Sequence, residues 1–405
     1  MRYCIIGGSV AGISCAARLR KLEPGAEVIV LSEEDYPYSK MTLPYLLSGK
    51  VSDTAVRLPV PEGVFFLEGK RAIKISPEEK TVFASDGTAY SYDKLLIATG
   101  ARATVPDFEG SLSPRSFTVR NLSDISRMKT SLGSPSADKV LISGAGLVSI
   151  EMGDALWRLG FTPVFLVTSR RLLTVILDEE GSSILEEDLP RKGVEIRFGT
   201  TIGGASIKGD RIVVETKDGA QFDGQILVIG KGTTPNVEFL ASSGIDLDWG
   251  VLVNEYLETT QKDIFAAGDV CQGYDSLFRD RRINALWPVA IEQGRHAAFN
   301  MTRPSLPYSG SMTRNIVTAF GNSVFTAGLS NTRELQTLVR RSGAHYAKIV
   351  CTEGRLAGCI FINAPVDPGV YVTAIAQGLE VSGIEETLLS GALSYAHFHP
   401  FLGRG

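Results

Sequence analysis

The chain has 405 residues, of which 44% are hydrophobic and 21% charged, a balance typical of a globular protein with two or three domains. Its 41 basic and 45 acidic residues leave a net charge of −4, which argues against a nucleic-acid partner. No apolar run reaches the ~18 residues of a membrane span, and the first residues already form a strand pattern, so we expect a cytoplasmic protein without a signal peptide.

The N-terminus carries a glycine-rich turn between a predicted strand at residues 2–7 and a predicted helix at residues 11–22. A second apolar strand at residues 27–31 completes a βαβ unit, the setting in which such a turn binds a dinucleotide. Backbone N–H groups at the helix start and the positive end of the helix dipole would hold the pyrophosphate. Ser9 stands where the middle glycine of the fingerprint is expected. The residues predicted to form this site are Gly7, Gly8, Ser9, Ala11 and Gly12.

An acidic pair follows the second strand of this unit, at the point where a carboxylate hydrogen-bonds the ribose of a bound dinucleotide. Glu33 is the favoured ribose ligand and Glu34 the alternative, although a solvated acidic loop would have the same sequence. Further along, an apolar strand ends in a turn at Thr99 and Gly100. Residues 102–137 then form a polar connector.

A second glycine-rich turn follows the predicted strand at residues 139–143 and opens another βαβ unit, which ends near residue 168. Ser149 stands at the last glycine position of this fingerprint. The residues predicted to bind a second dinucleotide are Gly144, Gly146, Leu147, Val148 and Glu151. Two such turns in one chain indicate two dinucleotides with electron transfer between them.

The segment after the second strand of this unit carries hydroxyls and arginines in place of an acid: Thr168, Ser169, Arg170 and Arg171. An arginine at this point can accommodate the 2′-phosphate of NADPH, and the missing acid removes the usual ribose ligand of NADH. We therefore favour NADPH over NADH, with Arg170 as the better phosphate ligand because Arg171 can equally serve as a cap or a salt bridge.

The remaining sequence contains one more strand that ends in glycine, and little metal-binding chemistry. Residues 263–269 form an apolar strand that ends at Gly268 and Asp269. Residues 285–301 predict a helix, and the chain beyond residue 305 predicts strands followed by helices. The five cysteines include no C-x-x-C pair and only four histidines are present, so we predict no metal site.

Four segments, in this order, resemble the FAD- and NAD(P)-dependent pyridine nucleotide–disulfide oxidoreductases: residues 7–12, 98–101, 144–151 and 259–269. The resemblance implies FAD and NAD(P)H as cofactors. It also implies an α/β fold with two Rossmann-like dinucleotide-binding domains, the NAD domain being inserted in the FAD domain, and a C-terminal α+β interface domain. The implied bounds are 1–110 and 241–305 for the FAD domain, 111–240 for the NAD(P) domain and 306–405 for the interface domain.

The resemblance also gives roles to single residues. Asp269 would bond the ribityl chain of FAD, and Gly268 would allow its close approach. Further cofactor contacts would come from Ala72, Thr99 and Gly100. Lys40 takes the place of a basic residue that touches FAD in ferredoxin reductase-like members. Met41 stands where other members carry a redox cysteine, and a thioether cannot form a thiolate or a mixed disulfide. These features are similar to the ferredoxin/rubredoxin reductase-like branch that lacks the cysteine.

Two further positions follow from the same resemblance. Glu151 resembles a glutamate near the flavin and the nicotinamide and is, with Lys40, the predicted catalytic residue. In several members a lysine pairs with that glutamate, and Tyr45 stands near where this lysine is found. His399 and Pro400 resemble a His-Pro segment that serves a thiol across a dimer interface, but here we expect a structural or interface histidine because the partner thiol is missing.

The function implied by the resemblance is that of an FAD-dependent NAD(P)H oxidoreductase, which moves a hydride between nicotinamide and flavin. Electrons would pass to or from a ferredoxin- or rubredoxin-like redox protein or an iron–sulfur subunit, for example in a 2-oxoacid oxidoreductase complex with this chain as the diaphorase-like subunit. Two alternatives stay open: an NAD(P)H oxidase or small-molecule reductase acting on a quinone or polysulfide, and a nucleotide-gated interaction protein. We expect a homodimer or a subunit of a larger complex.

Overall fold

The computed structural model describes residues 1–134, 138–303, 305–332 and 334–398, so His399 and Pro400 lie outside the described residues. The helices in these ranges are α1 (Val10–Leu22), α2 (Leu43–Leu47), α3 (Asp53–Val56), α4 (Leu122–Ser131), α5 (Leu147–Arg158), α6 (Glu179–Arg191), α7 (Trp287–Thr302), α8 (Pro368–Gln377) and α9 (Glu385–Leu389). Short 3₁₀ turns lie at Lys40–Thr42, Glu238–Leu240 and Tyr395–Phe398.

The strands are numbered in chain order. The first thirteen are β1 (Arg2–Ile6), β2 (Glu27–Leu31), β3 (Val64–Leu67), β4 (Ala72–Ser76), β5 (Thr81–Ala84), β6 (Ala89–Ser91), β7 (Lys94–Ile97), β8 (Ala101–Ala103), β9 (Ser116–Phe117), β10 (Lys139–Ser143), β11 (Thr162–Val167), β12 (Glu195–Phe198) and β13 (Ile202–Lys208). The others are β14 (Arg211–Thr216), β15 (Gln221–Gly224), β16 (Leu227–Ile229), β17 (Thr233–Pro235), β18 (Val251–Leu252), β19 (Ile264–Ala266), β20 (Cys271–Asp275), β21 (Asp280–Arg282), β22 (Arg314–Ala319), β23 (Asn322–Gly328), β24 (Gln336–Ser342), β25 (His345–Thr352) and β26 (Arg355–Ile362).

The first compact unit comprises Met1–Arg102 and Thr233–Met312. Its main sheet has five parallel strands in the order β19-β7-β1-β2-β3. Apart from the charged residues that open β1, β2 and β7, these strands are apolar because both faces of a parallel sheet are covered, and Ile5, Val30 and Leu96 are fully buried. Two smaller sheets, β4-β5-β6 and β18-β20-β21, belong to the same unit.

The carboxyl ends of the parallel strands of the first unit meet at one edge of the sheet. Ile6 lies beside Leu31 on one side and beside Ile97 on the other. Ile97 in turn lies beside Ala266, near the end of the predicted strand at residues 263–269. The turns that follow β1, β2, β7 and β19 therefore emerge next to one another, which is where ligands bind in open α/β sheets.

The second compact unit comprises Ala103–Gly232 and the chain from Thr313 onward. Its first sheet is also parallel, in the order β12-β11-β10-β16-β9, with Leu141, Phe165 and Val228 fully buried. The chain passes from β10 to β11 on one side of β10, whereas β16 lies on the other side. Strands β13, β14 and β15 form a small antiparallel sheet.

The rest of the second unit is an antiparallel sheet in the order β22-β23-β26-β25-β24. Helix α8 packs on β23 and β26, and α9 packs on β24 and β25. Cys351 lies opposite Leu356 and Cys359 opposite Ile349 in the hairpin of β25 and β26. The two cysteines of this hairpin are therefore not direct cross-strand neighbours.

The predicted α/β fold is confirmed, since a parallel sheet carries a βαβ unit at each glycine turn. The region 102–137, expected to be a polar connector, instead contains β9 and α4. Helix α4 forms there because Asn121 and Asp124 make a reciprocal capping box at its start. The three domains with their predicted bounds stay a prediction. Within the described ranges, no helix combines the length and apolarity needed to cross a bilayer.

Candidate functional site

The first glycine turn joins β1 to α1 with very little space around its backbone. Gly7 has a φ of +113°, and a Cβ there would overlap the carbonyl oxygen of Ala98. A Cβ at Gly12 would overlap the carbonyl oxygen of Gly7, and one at Gly8 would lie 2.6 Å from the ring of Phe66. The three glycines thus let α1 begin directly against the edge of the sheet.

Ser9 occupies the remaining fingerprint position without backbone strain. It is the N-cap of α1 with an extended backbone, φ −93° and ψ −167°, and its side chain makes no capping hydrogen bond. The first turn of the helix, which includes Ala11, contains no acidic residue. The first N–H groups of α1 and the positive end of its dipole are therefore available to an anion such as a pyrophosphate.

The two acidic side chains after β2 have different surroundings. The Glu33 side chain is 62% exposed and lies 3.9 Å from Nε of Arg71. Glu34 Oε1 accepts hydrogen bonds from the Tyr38 hydroxyl at 2.8 Å and from Lys40 Nζ at 3.4 Å. The structure thus brings Lys40 to Glu34, whereas Glu33 presents the more exposed carboxylate. The predicted ribose contact of Glu33 remains a prediction.

The turns after β7 and β19 are held by side chains that the sequence analysis missed. Thr99 Oγ1 donates to the carbonyl of Asn236 at 2.9 Å, and Asn236 Nδ2 donates back to the Thr99 carbonyl at 2.9 Å. Gly100 and Gly268 have φ of +64° and +82°. The Gly268 N–H donates to Oε1 of the buried Gln293 at 2.8 Å. An amide side chain in a loop or a helix gives no recognisable sequence signal for such a contact.

The other predicted residues of the first dinucleotide site lie close to this sheet edge. Asp269 follows Gly268 and is partly buried. Ala72 opens β4, two residues after Lys70, whose N–H donates to the carbonyl of Ser32 at 2.7 Å, so β4 begins beside the end of β2. A glycine cradle that a Cβ would fill, an open helix N-terminus and an adjacent acidic pair together fit an FAD.

The second glycine turn is built differently from the first. A Cβ at Gly144, where φ is +126°, would overlap the carbonyl oxygen of Gly230. Ser149 is fully buried, and its hydroxyl donates to that same carbonyl at 3.3 Å. Gly146 is exposed, with open space where a Cβ would stand. The serine in place of the last glycine is therefore accommodated by Gly230, where a Cβ would overlap the Ser149 hydroxyl.

Helix α5 begins with Leu147 and Val148 and, like α1, has no acidic residue in its first turn. After β11, Arg170 is exposed, whereas Arg171 Nη1 donates to the carbonyl of Leu177 at 3.2 Å and so holds the loop. Arg170 stays the predicted phosphate ligand. The open helix start and Gly144 fit the pyrophosphate of a second dinucleotide.

A cation that the sequence analysis missed lies at the same edge. Lys231 follows β16, and its Nζ donates to Thr168 Oγ1 at 3.1 Å. Burial lowers the pKa of the Lys231 ammonium. The sequence Gly230-Lys231-Gly232 could have drawn attention to it, because glycines on both sides of a lysine after a buried strand indicate close backbone approach.

Glu151 lies one turn into α5 and is partly buried. Burial, together with the nearby Asp154 carboxylate, raises the pKa of the Glu151 carboxyl to about 7. Asp154 itself accepts hydrogen bonds from the Phe320 N–H at 2.6 Å and from Arg158 Nε at 2.7 Å. Glu151 can therefore gain or lose a proton near neutral pH, a property that often marks functional carboxyls.

The described chain contains no accessible thiol. All five cysteines are buried and form no disulfide, and burial raises the pKa of the Cys4 and Cys271 thiols to about 12. Met41, in contrast, is 52% exposed. In the part of the chain that the structure describes, no group of three His, Cys, Asp or Glu side chains is arranged to hold a metal ion.

Comparison with known proteins gives a consistent result. The family model described as pyridine nucleotide-disulphide oxidoreductase matches residues 1–294. The chain is 24% identical to the epsilon subunit of the NADH-dependent phenylglyoxylate dehydrogenase of Aromatoleum evansii, over 97% of this chain and 96% of that protein. It is 26% identical to a coenzyme A disulfide reductase of Staphylococcus aureus, over 91% of this chain and 85% of that protein. The solved covalent complex of putidaredoxin reductase with putidaredoxin has the same fold, with a TM-score of 0.87, 22% identity and 96% coverage of each chain.

Proposed function

Because the chain belongs to the pyridine nucleotide-disulphide oxidoreductase family and is an FAD- and NAD(P)H-dependent oxidoreductase, we propose that it exchanges electrons with a separate redox protein or iron–sulfur subunit. In this proposal it serves as the diaphorase-like subunit of a 2-oxoacid oxidoreductase complex. NAD(P)H gives, or NAD(P)⁺ receives, two electrons as a hydride, and the partner protein carries electrons in the other half of the reaction.

The residues of the first unit hold FAD in this proposal. The glycine turn and the start of α1 bind the pyrophosphate, Glu33 the ribose and Asp269 the ribityl chain. Lys40, fixed by its 3.4 Å contact with Glu34, supplies a positive charge beside the cofactor. Held by these residues, FAD would supply two-electron hydride exchange with the nicotinamide and electron exchange with a carrier protein.

The residues of the second unit hold the nicotinamide dinucleotide. Gly144 and the start of α5 bind its pyrophosphate, and Arg170 provides a positive charge at the end of β11. Glu151, with a carboxyl pKa of about 7, holds or releases a proton at neutral pH. A carboxyl that changes its protonation near neutral pH suits the binding site of a nicotinamide cofactor, because the charge of the nicotinamide ring changes on reduction.

The observation that carries the proposal is the absence of a thiol relay from the described chain. The coenzyme A disulfide reductase resembled here acts on a disulfide, chemistry that requires a reactive thiolate. In this chain Met41 takes the position where the resemblance predicts the redox cysteine, and every cysteine is buried. Electrons therefore need another exit, and a second protein provides one.

The Aromatoleum relative supports the choice of partner. Its name describes a subunit of a larger dehydrogenase that uses NADH, and the two chains match over 97% and 96% of their lengths. Phenylglyoxylate is a 2-oxo acid, so a counterpart complex would oxidise an acid of that class and deliver electrons through this chain to a nicotinamide. In such a complex electrons would run from partner to NAD(P)⁺, and the same exchange would run in the opposite direction when NAD(P)H and an oxidised partner are supplied.

An acceptor comparison tests the proposal. The purified FAD-loaded protein is given NADPH or NADH with, in turn, ferredoxin, rubredoxin, coenzyme A disulfide, a quinone, polysulfide and oxygen as acceptor. We expect fast reduction of a redox protein that slows as salt is added, because protein–protein encounter is steered by charge, and slow turnover with the small molecules. Faster turnover with oxygen, a quinone or polysulfide would identify an oxidase or small-molecule reductase instead. A flavin that neither nucleotide reduces would favour a nucleotide-gated interaction protein.

A further inference from the structure

Lys231 spans the carboxyl end of the central strand of the second parallel sheet. It follows β16, and its Nζ contacts Thr168 Oγ1, which follows β11, at 3.1 Å. Strands β16 and β11 lie on opposite sides of β10, so about 10 Å separates them. The lysine side chain therefore crosses in front of the end of β10, where the turn at Gly144 begins.

This position is the ligand crevice of the sheet. The chain leaves β10 toward β11 on one side, and β16 flanks β10 on the other, which makes the gap between β10 and β16 a topological switch point. Ligands of open α/β sheets bind outside the carboxyl ends of the strands at such a point. Helix α5 starts there with Gly146 as its N-cap, so the crevice also contains the predicted pyrophosphate site.

Lys231 is partly buried and differs in its partner from two other lysines of the second unit, the partly buried Lys192 and the buried Lys348. Lys192 contacts Asp188 at 2.5 Å, and Lys348 contacts Asp178 at 3.0 Å. Among the described residues, no carboxylate lies within ion-pair distance of Lys231, whose partner is a neutral hydroxyl. A partly buried cation without a counter-charge has lost some of its hydration, so an anion that enters the crevice would be attracted to it.

We infer that Lys231 is a phosphate ligand of the nicotinamide dinucleotide, held by Thr168 until the nucleotide binds. Two phosphate groups of the dinucleotide could contact Lys231 in the crevice. The lysine stem crosses the pyrophosphate position at the start of α5, and its Nζ lies at the end of β11, where the 2′-phosphate of NADPH is recognised. Arg170, which follows Thr168 by two residues, would share the second task.

Equilibrium binding of redox-inactive ligands tests this assignment without relying on activity. ADP-ribose and its 2′-phosphate derivative are titrated by calorimetry into the FAD-loaded parent and into Lys231→Met, which keeps most of the stem but removes the charge. Lys217→Met, at an exposed lysine after β14, is the matched control. We expect Lys231→Met to weaken binding about tenfold and to reduce its dependence on salt, because a charged hydrogen bond to phosphate is lost. Lys217→Met should bind like the parent.

The two ligands separate the two phosphate sources. Equal weakening of both ligands assigns Lys231 to the pyrophosphate, and weakening of the 2′-phosphorylated ligand alone assigns it to the 2′-phosphate. Lys231→Arg should retain most of the affinity in either case because it keeps the charge. The inference fails if Lys231→Met binds both ligands within about twofold of the parent with the same salt dependence, while thermal melting confirms that the variant is folded.

Discussion

The two glycine turns have similar sequences but differ in what surrounds them. At the first, glycine is required three times by close packing, at Gly7, Gly8 and Gly12, and the loop after the next strand is acidic. At the second, Gly144 is confined, Gly146 faces open space, and Ser149 is paired with Gly230. The same glycine-rich motif therefore occurs in two settings. The loop after β2 is acidic and suits a ribose, whereas the loop after β11 is basic and suits an additional phosphate.

The largest expected effect tests the difference in packing between the two glycine turns. Gly12→Ala in the first turn forces a Cβ onto the carbonyl of Gly7, whereas Gly146→Ala in the second meets open space at a φ of −81°. We expect Gly12→Ala to cost about 3 kcal/mol or more of unfolding free energy and to lose FAD, and Gly146→Ala to stay within about 0.5 kcal/mol of the parent. Thermal melting and the flavin-to-protein absorbance ratio measure both. Equal stability of the two variants would contradict the packing difference.

The next effect concerns charge. Thr168→Asp would place after β11 an acidic residue like Glu33 and Glu34, which follow β2 in the first unit. A carboxylate there would accept hydrogen bonds from the ribose hydroxyls of NADH, repel the 2′-phosphate of NADPH and form an ion pair with Lys231. We expect the ratio of the dissociation constants for NADPH and NADH to shift by about tenfold toward NADH, as measured by equilibrium titration. Thr168→Ser, which keeps the hydroxyl, should leave the ratio unchanged. An unaltered ratio in Thr168→Asp would show that this loop does not read the ribose.

A third prediction concerns a position seven residues after the first glycine of each turn, where α1 has Ser14 and α5 has Glu151. A folded-state pKa of about 7, raised from 4.5, means that the folded protein binds this proton more tightly than the unfolded chain. The contribution of Glu151 to stability is therefore most favourable below about pH 4.5 and falls as the pH rises through about 7, by about 3 kcal/mol in total.

Glu151→Gln removes this titration. The variant should be as stable as the parent at about pH 4.5 and more stable at about pH 8, with the gap opening between these values. Urea unfolding across this range measures the gap. Glu215→Gln, at an exposed glutamate on β14, is the control and should follow the parent. A gap that does not change with pH would mean that Glu151 titrates as an ordinary carboxyl.

The smallest expected effect is that of Met41→Cys on stability, because Met41 is exposed. Met41→Cys should fold and melt like the parent because the side chain is 52% exposed. It should nevertheless add one thiol that reacts rapidly with a disulfide reagent, where the native parent has only slowly reacting buried thiols. A thiol titration of the native proteins checks this. Rapid reaction of a thiol in the parent would undermine the argument that the chain lacks a thiol relay.

The sequence predicted the parts of the site that rest on backbone geometry. Both glycine turns, the strands ending at Gly100 and Gly268 and the acidic pair after β2 follow from periodicity and turn chemistry. The α/β class followed from the same patterns. These features are local, so a window of about 30 residues contains the information that specifies them.

The parts that the sequence did not predict depend on contacts between distant residues. Gln293 accepts from the N–H of Gly268, and Lys231 reaches Thr168 across 63 positions. The raised pKa of Glu151 depends on burial, which the sequence alone does not specify. Helix α4 was missed for a different reason: its capping box at Asn121 and Asp124 was present but was read as a polar connector.

The most direct test of the central claim is an anaerobic titration of the flavin absorbance with NADPH, and separately with NADH, followed by oxidised ferredoxin. With no thiol relay, the account predicts that about one equivalent of nucleotide per flavin completes the bleaching and that ferredoxin restores the absorbance. A requirement for about two equivalents would reveal a second two-electron centre such as a redox-active thiol pair and contradict the account. Ferredoxin that leaves the reduced flavin unchanged would contradict the proposed electron exit to a redox protein.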